Sequence, residues 1–386
     1  MTHRNNEVAW ITVTNAILLL VGIVGSVIAS RALGPHDRGV FVSWQVWATT
    51  IGVLASLALP QYLVTGREIT WGAAWSAGLT SSLIGASAVV TLLAINGAPG
   101  SAMLGGAAIA VSNTMSGVRA SWMQRTGQLR VNFNAQRAAP QVAGLSAMLV
   151  LVMSSERDVE AWLVWVGFSQ IAASLAVGSL LGARPVLRLP SSELLRESAK
   201  LVPISWLSLL QSRIDLLVVS ALYPPAEVAF YSVAAAIQSA VVAVGQSVSM
   251  RWFSRHKEAP AITAAKQTAA LSVAAAAIAM LACWPAVAFG YGPAFLPAVP
   301  LALVLCIGAV PRNLDYLISH VAMARGTYGR LTPIKSLLVL GVILAIYGVW
   351  LGGGSVFFAV VAVTALGALG GLTQLFVISR KSGGEE

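Results

Sequence analysis

The stretch Ile204-Ser-Trp-Leu-Ser-Leu-Leu-Gln-Ser-Arg213-Ile-Asp215-Leu-Leu-Val-Val-Ser-Ala-Leu222, continued by Tyr223-Pro-Pro-Ala-Glu-Val-Ala-Phe-Tyr231, decides the fold class. It is long and apolar enough to cross a bilayer, which takes about 20 residues, yet it carries two charges. An ionisable group at mid-membrane costs on the order of 3 kcal/mol on insertion scales, so such groups face a wet interior rather than lipid. The stretch therefore predicts a membrane protein with a polar pathway. The Pro-Pro turn after it opens a further helix.

Composition extends this reading to the whole chain. Of 386 residues 57% are apolar and 10% charged, and mean hydropathy is +0.79; a soluble chain carries about 25% charged residues. Lipid forces backbone polar groups to pair within a helix or around a closed barrel. The apolar runs lack the alternation of barrel strands, so the expected class is an all-α integral membrane protein. The net charge of +10 is spread over many short loops, which fits membrane orientation and not a nucleic-acid partner. Cys283 and Cys306 lie in apolar runs without metal-ligand spacing and read as packing residues. No Gly-Lys-Ser/Thr phosphate loop occurs. Neither a cofactor nor a metal is expected, and the chain does not read as an enzyme.

Apolar windows predict twelve spans near 8–30, 40–64, 73–95, 102–124, 134–153, 161–182, 201–222, 228–250, 268–288, 299–324, 334–351 and 355–378. Two of them are less apolar: 102–124 is rich in small residues, and 134–153 opens on Asn134, Gln136 and Arg137. The loops and helix ends on the side of the termini hold nineteen of the 24 basic residues, Arg119, Arg137 and Lys335 among them. The opposite loops hold Arg31, Arg38 and Arg157. That bias places both termini in the cytoplasm, in a multi-pass protein of the cell inner (cytoplasmic) membrane.

The chain also looks duplicated. Ala32-Leu33-Gly34-Pro35, with Phe41 ahead, is matched 189 residues later by Ala221-Leu222-Tyr223-Pro224, with Phe230 ahead. Both copies follow an odd-numbered span and face outward. This predicts a parallel repeat of two six-helix lobes, 1–190 and 191–386, with binding sites between the halves.

These segments carry a family resemblance. Arg31-Ala-Leu-Gly-Pro-His-Asp-Arg-Gly-Val-Phe41 resembles the R-x-L-G-P-x-x-x-G turn of the O-antigen/polysaccharide flippases in the multidrug/oligosaccharidyl-lipid/polysaccharide (MOP) exporter superfamily. Leu57-Ala-Leu-Pro60 resembles the end of that family's second helix. Arg213-Ile-Asp215 with Tyr223 to Tyr231 resembles its seventh-to-eighth helix turn, and Phe289-Gly-Tyr-Gly-Pro-Ala-Phe295 its ninth-to-tenth. The resemblance runs in order over most of the chain; Tyr223 replaces a glycine often found in the second turn. It implies a V-shaped bundle of two lobes that carries a lipid-linked glycan from the inner to the outer leaflet. Twelve spans rather than fourteen argue against the lipid II branch. The implied partners are a polyprenyl-pyrophosphate oligosaccharide, membrane lipids and polysaccharide polymerase or export proteins.

Polar residues inside the spans are the candidate sites. On a helix, positions two apart lie about 200° apart, so Arg213 and Asp215 are expected on opposite faces, each with its own partner. Asp215 continues a stripe with Ser208 and Gln211 and reads either as an ion-coupling carboxylate or as a lobe-locking one. Arg213 reads as a ligand of substrate phosphate or as scaffold. Arg312 and Asp315, three apart, are expected to pair within their helix; Arg312 is otherwise a candidate substrate contact, and Asp315 a second coupling carboxylate. In the first half Ser112, Ser116 and Arg119 share a face. That places a cation at the inner mouth of a cavity, near Asn113, where a pyrophosphate could bind; otherwise the charge serves membrane orientation alone.

Two other functions compete. A cation-coupled multidrug exporter of the same superfamily should prefer an acidic cavity, whereas the span charges here balance at two Arg and two Asp. A membrane glycan polymerase or transferase should carry catalytic residues in sizeable outward loops, and these loops are short.

Overall fold

The computed structural model describes residues 2–65, 69–126, 132–181, 192–253, 261–324, 329 and 331–382. The loop cations Arg67, Arg130, Arg184, Arg188, Arg255, Lys257, Arg325 and Arg330 lie outside them, as does the expected lobe boundary at 190–191. Among the described residues every regular element is helical.

Nine helical segments among the described residues are long and apolar enough to cross a membrane. One of them, Val13–Ala55, runs for 43 residues, about twice what a bilayer needs. It belongs to α1 (Thr2–Ala55), which breaks at Gly34 with φ 73° and ψ 179°. Glycine enters that region without a Cβ penalty, and Pro35 restarts the helix, so α1 supplies two spans. The less apolar windows are helices as well: α4 (Gly100–Arg125) and α5 (Asn132–Met153). With these the twelve expected spans all fall on helices, the second, 40–64, being interrupted by a turn at 56–58 where Leu57 and Ala58 take positive φ, and the chain is a multi-pass, all-α membrane protein.

The chain divides into two compact units, residues 1–33 with 40–209 and residues 34–39 with 210–386. In unit 1, α4 packs against α2 (Leu59–Thr65), α3 (Trp71–Ile95), α5 and α6 (Val159–Leu180). This explains its weak apolar signal: 14 of its residues are buried within the protein, so small side chains serve it better than lipophilic ones. A Cβ on Gly105 of α4 would stand 2.7 Å from the Leu163 backbone of α6, and one on Gly167 would stand 2.6 Å from the Gly105 oxygen. Such backbone approach is how helices associate where lipid removes the hydrophobic drive. Phe41 and Trp162 meet edge to face at 6.4 Å in the core. The amphipathic α7 (Ser192–Ala199) adds Leu194 to a cluster with Leu59, Leu63 and Val118. On its outer side Glu197 pairs with Lys200 at 2.7 Å.

Unit 2 contains the rest of α8 (Val202–Leu222) from Leu210 on, with α9 (Pro225–Phe253), α10 (Ala261–Pro285), α11 (Ala298–Ala324), α12 (Thr332–Leu351) and α13 (Val356–Ser382). α11 packs against α9, α10 and α13. Cys283 and Cys306 are free and buried, as packing residues should be. The segment 34–39 belongs to this unit: a Cβ on Gly39 would stand 1.7 Å from the Pro225 oxygen. The backbone at Gly39 thus runs directly against the start of α9. Arg38, expected as a loop charge, is 6% exposed and sits in electrostatic reach of Tyr291.

Candidate functional site

Each unit holds a polar constellation built on several helices. In unit 2 it starts on α8. The Gln211 amide donates to Asp315 Oδ2 of α11 at 3.0 Å. Lys335 of α12 donates through Nζ to Gln211 Oε1 at 2.7 Å and to Asp315 Oδ2 at 3.2 Å. The Lys335 and Asp315 side chains are 3% and 13% exposed. One turn further along α8, Asp215 accepts the Leu216 N–H at 2.8 Å and the Tyr231 hydroxyl of α9 at 2.7 Å.

The arginines complete this cluster. Arg312 donates to the Ser212 carbonyl at 2.7 Å, hydrogen-bonds Tyr316 and lies in electrostatic reach of Asp215 and Tyr231. Arg213 is exposed and faces Asp215, Tyr316 and Arg312. Beneath them Asn313, fully buried, donates to the Val241 carbonyl at 3.1 Å and to Ser272 Oγ at 2.9 Å.

Three expectations change here. The intrahelical pair of Arg312 and Asp315 does not form, because Lys335 and Gln211 take the Asp315 carboxylate and Ser212 takes Arg312. Arg213 and Asp215 are not independent, because a long guanidinium stem reaches around the helix to the field of the carboxylate. Lys335, counted with the cytoplasmic helix ends, is buried inside the unit. The cluster therefore holds three cations, Arg213, Arg312 and Lys335, against two carboxylates, Asp215 and Asp315, and carries an excess positive charge.

In unit 1 a cavity of about 640 Å³ opens among α1, α2, α4, α5 and α6. Ser112, Asn113, Ser116, Arg137, Gln141 and Gln170 line its polar side, and Leu18 and Leu19 face them. Arg137 donates to Asn15 Oδ1 at 3.0 Å. Asn113 donates to the Ile109 carbonyl of its own helix at 2.9 Å.

Arg119 is elsewhere. It is fully buried, its guanidinium lies 4.7 Å from the centre of the Trp75 ring, and Nη1 donates to the Ser174 carbonyl. Its Nε and Nη2 make no hydrogen bond, and no carboxylate pairs with it among the described residues. Ser174 also bonds Ser116 Oγ at 2.9 Å and Gln136 Nε2 at 3.0 Å. Arg119 thus stands one layer behind the cavity wall and not at its mouth. It does share the Ser116 side of α4, but that side faces α6. Lys335, Tyr231, Gln136 and Ser174 are among the members of these constellations that sequence reasoning gave no site role.

No known family matches the sequence, and neither does any curated protein. Solved structures do match. Over 95% of this chain and 87% of the other, it superposes on the lipid II flippase MurJ in an inward closed conformation, with TM-score 0.71 and 12% identity. A multidrug resistance MATE family transporter of the MOP superfamily, inward-facing, matches with TM-score 0.62 and 17% identity over 95% and 96% of the two chains. A MOP transporter from Pyrococcus furiosus, described as having a binding pocket of reversed polarity, matches with TM-score 0.59 and 14% identity over 98% and 95%. The fold is that of the MOP-superfamily transporters.

Proposed function

We propose that this chain is a flippase. It moves a polyprenyl-pyrophosphate oligosaccharide across the cytoplasmic membrane by alternating access, for cell-surface polysaccharide synthesis. The observation that carries this reading is the sign of the charge in the two constellations: buried Arg119 and half-buried Arg137 in unit 1, and in unit 2 three cations, Arg213 of them exposed, against two carboxylates. A site for a cationic drug would need the opposite excess, since an uncompensated buried charge repels its like. The unit 1 cavity lies within the 300–1,000 Å³ span of ligand sites, enough for a pyrophosphate with part of its glycan.

In this reading Asn113 and Arg137 hold the head group by hydrogen bond and charge, while Arg119 adds positive potential from behind the wall. Arg213, the exposed cation of unit 2, takes phosphate, and Arg312 keeps Asp215 in place. Asp215 carries a coupling proton or cation, with the Tyr231 hydroxyl as its neighbour. Asp315 is the second coupling carboxylate in principle, but it already holds Lys335. The termini face the cytoplasm, and polymerase or export proteins receive the product.

A multidrug exporter is the second reading, because a MATE transporter shares the fold. Deletion of the gene separates the two. A flippase leaves lipid-linked glycan accumulating on the cytoplasmic leaflet; a drug exporter leaves surface glycan intact and the cells drug-sensitive. Absence of that accumulation sinks the flippase reading.

A further inference from the structure

Lys335 is placed as no loop cation would be. Its helix begins at Thr332, yet its ammonium is turned inward and 3% exposed, and it ends between oxygens of two other helices, Gln211 Oε1 of α8 and Asp315 Oδ2 of α11. An amide oxygen and a carboxylate oxygen are the donors a hard metal cation selects. A further oxygen, Asp315 Oδ1, is buried and makes no hydrogen bond. The Gln211 amide is fixed by its bond to the same carboxylate, so its oxygen is held toward the ammonium.

We propose that the Lys335 ammonium is a built-in substitute for a monovalent metal cation, occupying a site that Gln211 and Asp315 form between α8, α11 and α12. A diffusible cation could leave this site and release the three helices; a tethered ammonium keeps the charge in place at any external salt. The protein accordingly needs neither Na⁺ nor K⁺ to hold this junction. Removing the ammonium leaves an oxygen-lined, negatively charged vacancy that alkali ions can fill.

The test is thermal unfolding of the purified full chain in detergent, followed by tryptophan fluorescence. NaCl or KCl is titrated against choline chloride at equal ionic strength. The wild type is expected to show no cation-specific shift. Lys335→Ala is expected to melt lower in choline chloride and to regain melting temperature saturably with Na⁺ or K⁺, and Lys335→Ala/Asp315→Asn to lose that response. A wild-type response that Asp315→Asn removes overturns the proposal, as does a folded Lys335→Ala with no response. If Lys335→Ala folds only when Na⁺ or K⁺ is present, the proposal stands. If neither it nor Lys335→Gln folds in any salt while the double variant does, the site takes no free cation and the proposal fails. If no variant folds, the wild-type titration decides: a saturable alkali-ion shift overturns it and its absence supports it. Cargo does not enter the measurement, so this site can be missing from a working flippase or present in a drug exporter.

Discussion

In unit 1 the buried guanidinium of Arg119 rests on the face of Trp75 with two N–H groups unbonded and no carboxylate beside it. In unit 2 Arg213, Arg312 and Lys335 all lie within reach of Asp215 or Asp315. The two units thus differ in how they hold charge. Unit 1 keeps a bare positive field behind a polar cavity, which suits holding an anion. Unit 2 distributes charge over α8, α9, α11 and α12, which suits fixing helices to one another. Removing a charge should therefore cost little in unit 1 and much in unit 2.

The largest effect is expected from Asp315→Asn, which leaves the Lys335 ammonium buried without its counter-charge. A broken buried pair costs about 3–5 kcal/mol. Chemical denaturation in detergent should show that loss, and Lys335→Ala/Asp315→Asn should recover most of it. A smaller loss is expected from Tyr231→Phe, which deletes one hydrogen bond to Asp215 worth about 1 kcal/mol. Its export activity should fall further than its stability, which glycan export measured against melting temperature would reveal.

Arg119→Met in unit 1 should stay within about 1 kcal/mol of wild type, because the lost cation–π contact is offset by relief of an unpaired buried charge. Transport should nevertheless weaken if the positive field matters. A loss of stability matching that of Asp315→Asn would erase the contrast between the units. The smallest effect concerns Glu197 on the surface of α7. Its hydrogen bond and ion pair with Lys200 hold the carboxyl below its ordinary value. A depressed acid contributes stability above its unfolded pKa and loses it as pH falls through the folded one. Its place at the protein surface, where solvent screens the pair, leaves that contribution small, so Glu197→Gln should change melting temperature only slightly and remove a faint slope on the acid side.

Much of the fold was legible because lipid imposes one rule everywhere, a helix long and apolar enough to cross. The break at Gly34 followed from its Gly-Pro pair, and the weaker apolarity of 102–124 belongs to a helix with 14 residues buried in the protein, whereas that of 134–153 comes from its polar start, where Asn134 and Gln136 are buried. The side-chain partners were not legible. Arg312 and Asp315 stand three apart and looked self-sufficient, but Asp315 finds Lys335 20 residues away and Gln211 104 away. Periodicity along one helix says nothing of which neighbour supplies a charge. Lys335 was hidden because a lysine four residues into a helix beside a basic loop fits the orientation rule as well as a buried role. Its one signal was position: the apolar run begins at Leu331, so the charge falls within it. Ser174 and Gln136 gave less still, since small polar residues are common in membrane helices and only the convergence of Arg119, Ser116 and Gln136 on Ser174 marks them.

The central claim is that an anion-bearing lipid is the cargo. Reconstitution in vesicles with a fluorescent polyprenyl-pyrophosphate oligosaccharide tests it most directly, with appearance of the glycan in the opposite leaflet as readout. The wild type should move it, and Arg137→Ala should slow it while remaining folded. Movement of a cationic dye by the same vesicles, with no movement of the lipid-linked glycan, would contradict the account.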